Sequence, residues 1–157
     1  DNDLFDSIQD SLLKRVREFH YTIKGYDKAP SAVQKAKDNV KNANLDEYIK
    51  IEEQNFFDTE KTSEGKLHIV FNPPYDERLD IHMEEFYKSI GDTLKKNYPG
   101  TNAWFITANL EALKFVGLKP SRKIKLFNAS LEARLVKYEM YEGSKRTKFQ
   151  VVPDTSI

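Results

Sequence analysis

The stretch that most constrains this chain is Leu67–Phe71, followed at once by Asn72-Pro73-Pro74-Tyr75. Leu67 to Phe71 is a short apolar run, rich in β-branched residues, with one histidine. That pattern predicts a buried strand. Two prolines cannot extend a sheet ladder, because neither has an N–H to donate. Asn72 and Pro73 each precede a proline, so both are held extended. The Asn72 side chain and the carbonyls of the two residues are therefore aimed in set directions just past the C-terminal end of the strand. In open α/β sheets that end is where ligands bind.

Around this strand the hydrophobic period alternates between helix and strand. Asp3 to Phe19 predicts an amphipathic helix, with Leu4, Phe5, Ile8, Leu12, Leu13, Val16 and Phe19 on one face and Lys14, Arg15 and Arg17 on the solvated one. Tyr21–Gly25 reads as a short strand running into Tyr26-Asp27, and Pro30 is placed for the first turn of a helix through Asn42. Tyr48–Glu52 is the next strand, followed by Gln54-Asn55-Phe56-Phe57-Asp58. Ile81–Asn97 is a helix with Met83, Phe86, Tyr87, Ile90 and Leu94 inward, stopped by Pro99-Gly100. Thr101–Thr107 is a strand, Asn109–Phe115 a short helix stopped by Gly117, and Ile124–Phe127 with Arg134–Tyr141 a hairpin around Asn128-Ala129-Ser130. The residues from Gly143 on read as loosely held. The succession predicts an α/β fold, doubly wound, with a terminal antiparallel hairpin.

Composition narrows the function classes. The 157 residues suit one domain with a real core. They carry 25 Lys and Arg against 25 Asp and Glu, which argues against a strongly basic nucleic-acid binder. With no cysteine, a disulfide scaffold, a cysteine-ligated metal and a cysteine nucleophile are excluded. No apolar run reaches transmembrane length and no signal peptide is evident, so the expectation is a cytoplasmic protein without a membrane partner. His20, His68 and His82 sit at unrelated positions and read as structural or exposed. Glu84 and Glu85 read as a solvated helix face. Lys119, Arg122, Lys123 and Lys125 form a basic cluster near the hairpin, either plain surface charge or an RNA-phosphate contact.

A buried strand ending in Asn72-Pro73-Pro74-Tyr75 resembles the core motif of the S-adenosylmethionine-dependent amino methyltransferases. Gly25-Tyr26-Asp27, the helix at Ala32 to Asn42, Asn55, and Asn72 through Leu79 follow with spacings similar to one branch of them. That branch is the large-subunit ribosomal RNA guanine-N2 methyltransferases that carry an N-terminal THUMP RNA-binding domain. The likeness runs from the first helix to about Lys145. It implies a Rossmann-like, seven-stranded methyltransferase fold with strand order three-two-one-four-five-seven-six. It also implies S-adenosyl-L-methionine as cofactor, ribosomal RNA as partner, and transfer to the exocyclic N2 amine of a guanine in 23S ribosomal RNA. The same tetrapeptide serves DNA adenine-N6 and protein glutamine-N5 methyltransferases, and a non-catalytic RNA- or protein-binding fragment is the alternative of another class.

Carried onto these residues, the resemblance assigns catalysis to Asn72, Pro73, Pro74 and Tyr75, and cofactor binding to Asp27, Asn55, Phe56 and Asn72. Asn55 stands where the family usually has Asp, and Asp76 where it usually has Gly. The family's glycine-rich cofactor loop has no counterpart, since no two of the six glycines are close enough to form it. The expectation is one partial catalytic domain over 1–157, with a helix in 1–20, the sheet and its helices in 21–145 and a tail in 146–157. In it the first strand is absent from the sheet. An upstream segment of the same protein, a companion chain or another copy would fill that position.

Overall fold

The computed structural model describes residues 2–74 and 81–142. Tyr75 and the following Asp76, Glu77, Arg78 and Leu79 lie outside the described residues, as does the tail from Gly143 with Val151 and Val152. The chain divides into two compact units, Asp1–Phe56 and Phe57–Ile157. Among the described residues, no helix is long and apolar enough to cross a membrane.

The first unit holds α1 (Asn2–Leu13), β1 (Ile23–Asp27), α2 (Pro30–Asn42) and β2 (Ile49–Glu53). β1 and β2 pair in parallel, from Ile23 opposite Ile49 to Asp27 opposite Glu53. Proline at the first turn starts α2, and Val33 is its buried residue. α1 is shorter than the periodicity predicts, ending at Leu13 rather than Phe19. Phe19 instead meets the edges of Tyr21 and Tyr48, at 5.7 and 5.9 Å between ring centroids. That aromatic cluster draws the chain out of the helix, and the crowded cations at Lys14, Arg15 and Arg17 do not favour its continuation. β1 also begins and ends two residues later than expected. The ladder with β2 takes in Tyr26 and Asp27, although aspartate is usually depleted in strands.

The second unit holds a 3₁₀ turn reaching Asp58, β3 (Leu67–Phe71), α3 (Ile81–Asn97), β4 (Thr101–Thr107), a 3₁₀ turn at Ala112–Val116, β5 (Arg122–Asn128) and β6 (Leu131–Glu139). The strands lie in the order β3-β4-β6-β5. β3 and β4 are parallel, and β6 runs antiparallel to both β4 and β5. This is the four-five-seven-six run of the expected order, and β1-β2 is its two-three pair. Among the described residues β1 and β3 each have a single strand neighbour, and none corresponds to the first strand.

β4 alternates strictly, with Thr101, Ala103, Phe105 and Thr107 buried. Its register places Ala103 beside Tyr138 and Phe105 beside Val136, so two strands supply one core face. α3 covers that face with Tyr87, Ile90 and Leu94, as its 3.6-residue period predicts. Met83 and Phe86 are half-buried at its rim. The expected short helix at Asn109–Phe115 is instead a 3₁₀ turn at Ala112–Val116, and Asn109 Oδ1 accepts the Ala112 N–H at 3.0 Å where it begins. Gly117 closes it in the left-handed conformation, φ 64°. β5 is longer than predicted, because an edge strand tolerates the exposed charges of Arg122 and Lys123, whereas β6 starts three residues and ends two residues earlier than expected, at Leu131 and Glu139.

Two predictions follow from this core. A Cβ on Gly91 would lie 1.7 Å from the Val116 carbonyl oxygen, where α3 meets the 3₁₀ turn. Gly91→Ala should therefore cost about 3 kcal/mol by overpacking. A urea midpoint equal to that of the parent would contradict the close approach. Burial, reinforced by the neighbouring Tyr87, pushes the Tyr138 hydroxyl up to about 12. An unfolded tyrosine ionises at about 10. The stability this group contributes is thus intact below pH ~10 and is lost as pH rises through ~12. Circular dichroism against pH should show the loss, and Tyr138→Phe should flatten that part of the curve.

Candidate active site

Parallel strands bring their C-terminal ends to one edge of a sheet, and the second unit uses that edge for its proline motif. β3 ends at Phe71, whose ring lies 5.0 Å from that of Phe105. Phe105 in turn stacks on Tyr138 at 5.6 Å and meets Tyr87 edge-on at 6.2 Å. The strand end is thereby packed from below. Asn72 emerges exposed, Pro73 is buried and Pro74 is exposed. The alternation leaves the Asn72 amide open to a ligand while the proline beside it anchors the turn. Tyr75, the fourth predicted catalytic residue, lies outside the described residues.

Beside the motif, at the end of β4, the Tyr87 and Thr107 hydroxyls are 2.5 Å apart. Thr107 Oγ1 also accepts the Asn109 N–H at 3.0 Å. Tyr87, Thr107 and Asn109 so form a buried polar chain that holds the loop after β4 at the edge where Asn72 stands. Sequence reading missed its role. The available signal was a Thr-x-Asn sequence directly after a strand, a pattern in which the side chains compete for backbone partners.

The three residues assigned to the cofactor in the first unit gather at the corresponding edge of its own sheet. Asp27 ends β1, and Asn55 and Phe56 follow two and three residues after the end of β2. Asp27 Oδ1 accepts the Ala29 N–H at 2.8 Å, and its carbonyl accepts the Gln54 N–H at 2.9 Å. The first bond is the turn-forming role open to any aspartate before a helix. It also orients the carboxylate, which is exposed and keeps its other oxygen for a ligand. Asn55 is exposed and offers both a donor and an acceptor; Phe56 is half-buried. This donor set fits the nucleoside end of S-adenosylmethionine: a carboxylate for ribose hydroxyls, an amide for the adenine edge and a ring for its face. The methionine end lacks its usual glycine-rich loop in this sequence.

Histidines contribute nothing to either edge. His20 pairs only with Glu18, at 3.8 Å and in solvent, and His68 and His82 are exposed. Glu85 is exposed and Glu84 half-buried on α3, in keeping with a solvated face. No cluster of three or more metal-ligating side chains occurs among the described residues.

Comparison with known proteins agrees with this architecture. The sequence pattern of the RMKL-like methyltransferase domain matches residues 5–137. The chain is 32% identical over 124 residues to the ribosomal RNA large subunit methyltransferase K/L of Syntrophotalea carbinolica, covering 75% of this chain and 17% of that protein. It is 33% identical over 135 residues to the K/L enzyme of Methylococcus capsulatus, covering 85% and 18%. The chain thus spans less than a fifth of the length of these two curated relatives. Among solved structures, the SMU.472 protein complexed with SAH superposes with a TM-score of 0.78 at 23% identity, over 90% of this chain and 38% of that one. With the strand order, the motif strand and a match over residues 5–137, the chain belongs to the RMKL-like methyltransferase domain family.

Proposed function

We propose that this chain forms the acceptor side, and the nucleoside-binding part of the donor side, of an enzyme that methylates the exocyclic N2 amine of a guanine in 23S ribosomal RNA. The observation that carries the reading is the Asn72-Pro73-Pro74 turn, seated directly on the C-terminal end of a parallel strand in a chain of this family. The names of the relatives, large-subunit ribosomal RNA methyltransferases, support the substrate class. Ribosomal RNA as partner places the protein in the cytoplasm. A segment of the same protein, or a companion chain, completes the sheet at the position of the first strand.

S-adenosylmethionine, when bound, supplies a methyl group on a positively charged sulfur. The chain's own residues prepare the nitrogen that takes it. The N2 lone pair is delocalised into the guanine ring and is a poor nucleophile. Accepting its two N–H groups with the Asn72 side-chain oxygen and the Pro73 carbonyl favours a tetrahedral nitrogen. The same acceptors stabilise the positive charge that grows there. Tyr75 stacks on the extruded base. Asp27 holds the ribose hydroxyls, Asn55 the adenine edge, and Phe56 covers the adenine ring. No general base is needed beforehand, since the surplus proton leaves to water after transfer.

Labelled methyl groups offered, to the chain together with the segment that completes its sheet, with 23S ribosomal RNA, DNA and a release factor should appear in the RNA. Digestion to nucleosides should return N2-methylguanosine. Label confined to DNA would overturn the reading in favour of adenine-N6 transfer. Asn72→Ala should lower kcat by about 10²- to 10³-fold, the cost of one preorganised electrostatic partner, with RNA affinity little changed. Asn72→Asp should recover part of that loss, because a carboxylate oxygen still accepts the N–H that the Asn72 oxygen takes, while the Pro73 carbonyl takes the other. Equal kcat for Asn72→Ala and the parent would remove Asn72 from the mechanism.

A further inference from the structure

The sequence between Ala112 and Leu131 contains Lys114, Lys119, Arg122, Lys123 and Lys125 and no acidic residue, although the chain as a whole is neutral. Most of these cations lie on or just before β5, the edge strand of the second unit. Among the described residues Lys119, Arg122 and Lys123 have no carboxylate partner, and all three are exposed. Cations on an edge strand have an ordinary explanation, since they discourage pairing with another sheet. Phe127 does not fit that explanation. It is 63% exposed on the same strand, and Lys125 Nζ sits 5.1 Å above its ring centroid. A large exposed aromatic invites the association that edge lysines prevent.

The register locates this pair relative to the proline motif. β5 is antiparallel to β6, and β6 to β4, so β5 runs in the same direction as β3 and β4. Its C-terminal end therefore shares the sheet edge that carries Asn72 and Pro73. Phe71, Phe105, Val136 and Lys123 occupy one row across the four strands. Lys125 and Phe127 continue on the same face toward the shared edge. Three inter-strand spacings put β5 roughly 14 Å to the side of the motif strand. Phe127 lies a further four residues along the strand from that row, so a nucleic-acid strand with one base at Asn72 would meet it with a nucleotide several positions away.

We propose that Phe127 is a stacking platform for a base flanking the target in single-stranded RNA, with Lys123 and Lys125 holding its phosphates. The proposal rests on the RNA reading of the site given above. An aromatic face beside cations is what single-stranded nucleic acid requires, because every base has a π-face and every nucleotide a charge. Glu132 guards the surface. Its carboxylate binds Lys125 at 2.5 Å and Arg134 at 2.7 Å, and those two partners hold it below the usual carboxylate range. The Lys125 side chain is half-exposed, so this pair can open at little cost when phosphate arrives. Release of Lys125 and Arg134 from Glu132 would then raise the affinity of the platform.

The test is fluorescence anisotropy with a short labelled oligouridine containing one guanine, titrated across salt, with polyglutamate as a baseless polyanion for comparison. Phe127→Ala should weaken RNA binding by about 5- to 150-fold, the range for loss of one base–aromatic stack, and should leave polyglutamate binding unaltered. Lys123→Gln should reduce the salt slope by about 0.7. Glu132→Gln should tighten RNA binding, which edge protection alone does not foresee. All three substituted side chains are at least partly exposed, and matched thermal melts check that each variant is folded. RNA affinity and salt slope unchanged in the first two variants would overturn the platform, as would polyglutamate binding as tightly as RNA. The two readings fail separately. Phe127-dependent RNA binding without methyl transfer supports the platform and defeats the enzymatic reading, whereas methyl transfer with variants equal to the parent in RNA affinity does the reverse.

Discussion

The Phe105 ring is the point on which the second unit turns. It is fully buried and touches Phe71 from β3, Tyr138 from β6 and Tyr87 from α3. Aromatic side chains bury much area with few rotatable bonds, so such a cluster fixes positions as well as adding stability. Here it fixes the last residue of β3. The next residue is Asn72, and the direction of its amide is inherited from that packing. The Tyr87–Thr107 hydrogen bond lies just above the ring cluster and ties the loop after β4 to the same support. A preorganised hydrogen-bond acceptor is useful only if it does not move as charge develops, and this core supplies the rigidity.

The first unit is supported quite differently. A two-stranded sheet is marginal in water on its own, and Val33 is the buried apolar residue of this one. Leu4, Phe5, Ile8, Leu12 and Leu13 of α1 are all more than half exposed. β1 offers a row of backbone groups on the side away from β2. The unit's acceptor and amide groups, at Asp27 and Asn55, stand on short loops at the end of its two strands. Their positions depend on the parallel ladder from Ile23 to Asp27 and on the hydrogen bonds that Asp27 makes to Ala29 and Gln54. The two strand-end edges, each within its own unit, therefore have unequal foundations, one in a packed aromatic core and one in a strand pair.

Charge is also unevenly placed. A formal net charge of zero hides a stretch of twenty residues with five cations and no anions, and three of those cations, Arg122, Lys123 and Lys125, lie on the edge strand β5. Net charge governs long-range steering, while local charge and an exposed ring govern where a strand of RNA rests once it has arrived.

Much of the second unit was legible in the sequence. The β3, α3 and β4 boundaries agree residue for residue, because proline or glycine ends β3 and α3 and immediately precedes β4. The hairpin was legible as two runs with a short connection, though Arg122 and Lys123 were left out of it because charge argues against a buried strand and says nothing about an edge. The break of β3 at Asn72-Pro73-Pro74 was legible through proline geometry alone. The sequence by itself thus determined the alternating α/β character, the site strand and the chemistry its turn offers, since these follow from local backbone rules. The end of α1 at Leu13, the ladder extending to Asp27, the Tyr87–Thr107–Asn109 chain and the alignment of Phe127 with the motif edge were decided only by tertiary structure. Each depends on which distant residue becomes a neighbour, and spacing along a chain does not encode that.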